Sequence, residues 1–488
     1  MLPYLLVSLQ VFTMQQIPTG SRLHVRLVTP ISSYESKAGD PVEAVLIAPV
    51  TSGGETLLPE GSMLSGVIGS VTRVGLGVVH ETASLRLEFN EVKLPDGENV
   101  PISVRLDQVD NGREQVMRDG EVRGVRATAS LSYRVSGYIR TALAWELHAH
   151  LVFWAVKTLI VQVPEPEIYY PAGVEMTLAL KEPLVASAQP EQAPRSLSDD
   201  EHDALDPIVA EMPDRTYAPA TNRPADLVNL MFVGSREEIA SAFSAAGWIE
   251  AHPASLRSDI RGIQAVAEHR GYRAAPMSSL LLNRVEADMS WQKGFNDVSK
   301  RHHVRIWKLA QTLDGQELWA AAGTRDVDFA YMRPGQKLTH RIEADVDQER
   351  DKIENDLVYT GCVEAADMWE RSGVPHVTWN ATGDLMSTDT RLAIVRLNRC
   401  NSPRTQARVG EPIKEHGNPF QRILRRQILS ARNDLLRGNV YWRGYEGTRW
   451  LVAAMKKQHP RTDETLAMEK HTKPSWSPFS RDRAGYLW

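Results

Sequence analysis

The sequence predicts a multidomain fold, an N-terminal all-β sandwich or barrel-like module followed by a mixed α/β or α+β domain. Three observations carry the prediction. Short alternating apolar segments separated by Pro-x-Gly turns fill residues 1–185, an acidic proline-rich stretch occupies 186–224, and a buried strand then runs into a capped helix. At 488 residues the chain exceeds what one hydrophobic core usually organises, and its 42% apolar and 24% charged content is that of a globular protein.

The first apolar run, Met1 to Val11, has no Lys or Arg before it. It reads either as the remnant of an export signal or as an ordinary first strand. Leu23, Val25 and Leu27 then alternate behind the turn Pro18-Thr19-Gly20, which points to a strand with one covered face. The phrase returns: Pro171-Ala172-Gly173 precedes Met176, Leu178 and Leu180, so Ile17 to Ile31 and Tyr170 to Leu184 form a structural repeat. Pro59-Glu60-Gly61 and Pro95-Asp96-Gly97 supply further turns, proline presetting one torsion and glycine accepting the strained one. Leu143 to Val163 is apolar, but Glu146, His148, His150 and Lys157 break the run of about 20 residues that a membrane span needs.

Residues 186–224 read as a semi-rigid linker with short local structure. The segment Asp226 to Gly234 reads as a buried strand, after which Ser235 and Glu238 form a capping-box pattern for a helix with Ile239, Phe243 and Ala246 on its inner side. This mixed domain is placed at 225–400, and 401–488 is a C-terminal extension, in part helical and in part disordered.

A net charge of -5 with no long basic stripe argues against nucleic acid as the main ligand. Only Cys362 and Cys400 occur; two separate buried thiols are preferred over one bridge.

Beyond the linker, several ordered phrases resemble the LssY C-terminal domain family. They are Pro224-Ala225-Asp226-Leu227-Val228-Asn229-Leu230, Val233-Gly234-Ser235-Arg236-Glu237-Glu238, Ala245-Ala246-Gly247-Trp248, Gln292-Lys293-Gly294, Arg301-His302-His303-Val304-Arg305-Ile306-Trp307, and Thr339-His340-Arg341-Ile342 with Asp345 to Asp351. The resemblance spans about 140 residues from Asp226. The Pro-x-Gly module looks like an envelope-associated companion domain. Together they imply a bacterial, membrane-proximal or exported setting and no transferable reaction. Some related chains carry a membrane-embedded phosphatase-like portion, which this sequence does not show.

The chemistry-bearing residues concentrate between Phe295 and Asp351. On a strand, His303, Arg305 and Trp307 share one side and His302, Val304 and Ile306 the other. Asp326 and Asp328 read as sharing a face of a further strand, and Asp345 or Asp347 as capping a helix that uses Ile353 and Leu357. The functional expectation makes His303, His340, Asp326 and Asp328 catalytic. It assigns a divalent metal to Asp345, Asp347 and His340, and an anionic substrate to Arg301, Arg305 and Arg341. Oxygen ligands suit Mg2+, Mn2+ or Ca2+, and added imidazoles suit Zn2+ or Fe2+. On this reading the chain is an envelope-associated hydrolase of a phosphoester or related anion. The alternative is a noncatalytic envelope binding or assembly module, peripheral to a membrane or facing an anionic envelope component, with a cytoplasmic location as the rival setting.

Overall fold

The two copies of the repeated phrase lie side by side. Strand Arg22–Leu27 pairs antiparallel with Glu175–Leu180, setting Val25 opposite Met176 and Arg26 opposite Glu175. From this pair a nine-stranded sheet extends in the order Val104–Val109, Glu175–Leu180, Arg22–Leu27, Pro41–Leu46, Met63–Thr72, Ser84–Lys93, Val122–Arg123 and Gln115–Val116, with Asn99–Pro101 also against Ser84–Lys93. Val104–Val109 curls back toward Ser84–Lys93, so the sheet is nearly a barrel. Its inward residues, among them Leu23, Val25, Leu64, Leu85, Leu106 and Met176, form one core. The Pro-x-Gly glycines all sit at positive φ, Gly20 at 86°, Gly61 at 85°, Gly97 at 96° and Gly173 at 89°, where a side chain would be strained.

This computed structural model describes residues 14–77, 79–126, 130, 133, 148, 152, 166–189, 194–253, 255–330, 339–400, 418–437 and a few positions between 441 and 455. The run Met1 to Val11, and all of Leu143 to Val163 except two positions, lie outside the described residues. Among the described residues no helix is long and apolar enough to cross a membrane.

The segment expected to be a linker is largely folded. Leu184–Ser187 pairs with Met14–Ile17, and Asp199–Glu211 is a helix whose cap, Ser198, exchanges hydrogen bonds with Glu201. Leu205 and Val209 bury its inner side. Pro207 sits within the helix, and burial of this face offsets the lost hydrogen bond. Strands Arg215–Ala218 and Arg223–Leu227 then pair with each other.

The second region mixes helices with an eight-stranded sheet. Its order is Ile249–Glu250, Met289–Gly294, Arg301–Leu313, Gln316–Ala330, Leu230–Val233, Arg391–Leu397 and Val363–Glu370, with Thr339–Ile342 added against Gln316–Ala330. Leu230–Val233 runs parallel to Arg391–Leu397; the other pairs are antiparallel. Helix Arg236–Ala245 begins with the Ser235 and Glu238 capping box, and with helix Asp347–Tyr359 it covers one side of the sheet through Ile239, Phe243, Ile353 and Leu357. Helix Asp199–Glu211 contributes to the core on the other side.

The two cysteines form a bridge, which corrects the expectation of separate thiols. Cys362 precedes strand Val363–Glu370 and Cys400 follows its neighbour Arg391–Leu397. Pairing of Val363 with Leu397 brings the cysteine Cα atoms to 4.9 Å, within disulfide range. The bridge closes a 38-residue separation. Replacing both cysteines by serine should therefore lower stability by about 3–4 kcal/mol in urea unfolding, and the unreduced parent should yield no thiol on denaturation; two titratable thiols would contradict the pairing.

Candidate functional site

The long hairpin of Arg301–Leu313 and Gln316–Ala330 positions the polar residues on opposite sides of the second sheet. Val304 and Ile306 enter the core beneath helices Arg236–Ala245 and Asp347–Tyr359, and His302 shares their side by alternation. Trp307 enters the other core, with His303 and Arg305 on its side. Adjacent histidines thus belong to two different environments.

On the His303 side, Asp326 is the hub. Its Oδ2 accepts from Arg301 Nε at 2.9 Å and faces His340 Nδ1 at 3.5 Å and His303 Nδ1 at 3.8 Å. Burial pushes Asp326 toward its neutral form, but His340, His303 and Arg301 outweigh it and bring its pKa to about 2. Burial also lowers His303 to about 3 and lowers His340, against the pull of Asp326 on both. His303 Nε2 lies 2.7 Å from Thr324 Oγ1. Hydroxyl, imidazole and carboxylate thus follow in the order of a nucleophilic triad. However, Thr324 is 1% exposed and Asp326 is already paired with Arg301. His340, its side chain 27% exposed, is the more open member.

Arg305 stays on the hub's side of the sheet, where its charge acts on His303 and Asp326, while the remaining residues expected here are placed elsewhere. Asp328 lies past a bulge after Asp326, and its Oδ1 accepts from the Phe329 amide. Arg305 pairs with Asp226 at 3.2 Å and donates to Ser278 O. Arg341 lies 3.7 Å from Asp384. Asp345 takes the Asp347 amide and Gln348 Nε2, closing the turn into helix Asp347–Tyr359. Asp347 accepts from Thr388 Oγ1, the Asp389 amide and Arg350, whose guanidinium also binds Asp389. The metal set of Asp345, Asp347 and His340 is therefore divided, because the two aspartates satisfy the helix entry while His340 faces Asp326. Among the described residues no three His, Cys, Asp or Glu side chains are grouped to hold a metal ion.

The residues that the sequence did not single out form a junction between the modules. His302 Nε2 meets Asp110 at 2.7 Å and its Nδ1 meets Glu349 at 2.5 Å, while Arg325 reaches Asp110 at 2.8 Å. Burial disfavours the imidazolium, yet Asp110 and Glu349 outweigh it and raise His302 to about 9. Beside it, Lys293 bridges Glu175 at 2.5 Å and Asp356 at 2.8 Å; Lys352 binds the same two carboxylates, and Arg26 binds Glu175 at 2.6 Å. Burial alone would raise Glu175, but Lys293, Lys352 and Arg26 hold it well below the usual carboxylate range. Trp248 Nε1 donates to Asp356, and the Asn111 side-chain amide to Lys293 O. No local motif announces these partners, since Asp110 and His302 are 192 positions apart.

A cleft of about 610 Å³ opens at a distinct place, the start of helix Arg236–Ala245, lined by Ser235, Glu238, Gln316, Arg399 and Cys400.

Residues 209–392 match the family described as LssY C-terminus, and the rest of the chain lies outside that match. The match begins inside helix Asp199–Glu211, ahead of the boundary expected near residue 225. No curated protein matches the chain. Among solved structures, ComB10 of the Com type IV secretion system of Helicobacter pylori is similar over 36% of this chain and 92% of its own, at 12% identity and a TM-score of 0.21, too loose an overlap to carry a shared fold.

Substituting His302→Gln or Asp110→Asn leaves a buried charge without its partner, for which about 3–5 kcal/mol of destabilisation is expected. His302 rises from 6.5 to about 9 on folding, so its contribution is fully present below pH 6.5 and is lost as pH climbs through about 9. Urea unfolding from pH 6 to 10 should show this loss in the parent and not in His302→Gln; the same alkaline slope in both would contradict the pairing.

Proposed function

We propose that this chain is a noncatalytic binding or assembly protein of the bacterial cell envelope, built as one rigid unit from a β near-barrel and an LssY C-terminus domain. The observation that carries the reading is the use of the polar residues. His303, His340 and Asp326 meet at one buried hub whose carboxylate is engaged by Arg301, while the expected metal ligands Asp345 and Asp347 serve a helix entry and Arg341 pairs apart with Asp384. Most of their charge is spent on neighbouring protein groups. The strongest pairs outside these, at His302 and Lys293, join one module to the other.

The bridge between Cys362 and Cys400 supports this setting, since structural disulfides form and persist in oxidising compartments. An exported chain at the envelope accommodates it more readily than a cytoplasmic one. A rigid two-module body has surfaces of fixed spacing, which is what an assembly component needs. An anionic envelope component is the partner class.

The hydrolase reading ranks second. It would need the Asp326 hub to open, with His340 as the accessible proton carrier. The test is a variant carrying His303→Ala and His340→Ala. We expect both proteins to be inert on a broad phosphoester panel with and without added Mg2+, Mn2+ or Zn2+, and to bind envelope fractions equally. Turnover by the parent that disappears in the variant would overturn the noncatalytic reading.

A further inference from the structure

Helix Pro419–Arg437 is clamped to the N-terminal module along one side and presents large apolar side chains on another. On the inner side Leu429 is 2% exposed and belongs to the near-barrel core. Arg425 pairs with Glu167 and donates to Val74 O, and Arg432 donates to the carbonyls of Gly75 and Gly77. On the outer side Phe420 is 70% exposed, Ile423 58%, Leu424 49% and Ile428 41%. Their spacing of three, four and eight residues from Phe420 gathers them into one stripe. The loop that Arg432 holds exposes two further apolar side chains, Leu76 at 55% and Val79 at 62%.

The charge of the chain is segregated in the same direction. Residues 401–488 carry 17 Lys or Arg against eight Asp or Glu, whereas residues 1–400 carry 39 against 53. The near-neutral total conceals a basic C-terminal part on an acidic body, and the basic part bears the apolar stripe. Arg425 and Arg432 are engaged on the inner side, so the positive surplus is one of the sequence of 401–488 as a whole; an apolar stripe in such a segment suits the surface of a bilayer rich in anionic headgroups, where apolar groups enter the acyl boundary. A second copy suits it less, because it would bring the same positive surplus against its own.

We propose that the outer side of helix Pro419–Arg437, together with Leu76 and Val79, docks peripherally on an anionic lipid bilayer. This deepens the envelope reading above by naming the partner as the lipid surface itself. Binding needs no span, since the helix is held on the near-barrel and lies along the interface.

The test is sedimentation of the purified full chain with vesicles of phosphatidylcholine alone or mixed with phosphatidylglycerol. The parent should sediment with the mixed vesicles, weakly with the neutral ones, and less at high salt. Ile423→Glu with Ile428→Glu should reduce the apparent partition coefficient by about tenfold or more, with unchanged circular dichroism and melting because both sites are exposed. Leu76→Glu with Val79→Glu provides a second variant outside the helix with the same expected direction. Failure of the parent to bind mixed vesicles, or equal binding by both folded variants, overturns the proposal. So does a parent dimer that the Glu variants dissociate while vesicle binding is absent, which would assign the face to a second copy. Purified protein and lipid report on the face independently of turnover and cellular location, so vesicle failure with retained envelope fractionation sinks only this proposal, and phosphoester turnover sinks only the noncatalytic reading.

Discussion

The structure depends most on a buried charge cluster between its two modules. Arg26 and Glu175 come from adjacent strands of the near-barrel, and Lys293, Lys352 and Asp356 from the second region. Arg26, Glu175 and Asp356 are almost completely buried. Removing such charges from water is expensive, and their mutual attraction repays the cost only with close geometry and further hydrogen bonds. Here each carboxylate meets more than one cation, and Trp248 supplies an added donor to Asp356. Removing one member while its partners stay buried is what costs, so the cluster holds the joined arrangement only as a complete set.

The junction also gathers residues of the kind used in acid-base chemistry, apart from the candidate site expected from sequence at His303, His340, Asp326 and Asp328. A histidine between two carboxylates, a lysine beside an aspartate and an arginine near both are the ingredients of acid-base chemistry. At the junction they are closed over by the facing module, and Asp110 and Glu349 hold His302 charged rather than poised between states near neutral pH. On the opposite side of the sheet, the Asp326 hub has two imidazoles, both lowered by burial, and one arginine. Its more open member, His340, comes from the short edge strand Thr339–Ile342.

Much of the fold was legible from local pattern. The repeated Pro-x-Gly phrase marked two strands that prove to be neighbours, and Ser235 with Glu238 marked a helix start. The same reasoning missed helix Asp199–Glu211, although Ser198 and Glu201 carry the same spacing, because surrounding prolines and acids were given more weight than Leu205 and Val209. The disulfide was illegible because pairing of the strands beside Cys362 and Cys400 decides it. Nearness of Asp326 to His303 and His340 could be read from alternation along candidate strands. The separation of Asp345 and Asp347 from them could not, because it follows from the packing at Arg350, Thr388 and Asp389. The junction left no trace at all: a single Arg26 or Lys293 in a strand reads as an edge charge until its partner from the other module is known.

The central claim is that the junction makes the two modules one cooperative unit. Hydrogen exchange read by mass spectrometry across a urea series tests it directly, comparing amides of strands Arg22–Leu27 and Glu175–Leu180 with those of strands Arg301–Leu313 and Gln316–Ala330. The account predicts that both sets lose protection together, at one midpoint and with one denaturant dependence. Two separate midpoints in the unsubstituted protein, with one sheet protected while the other exchanges freely, would contradict it.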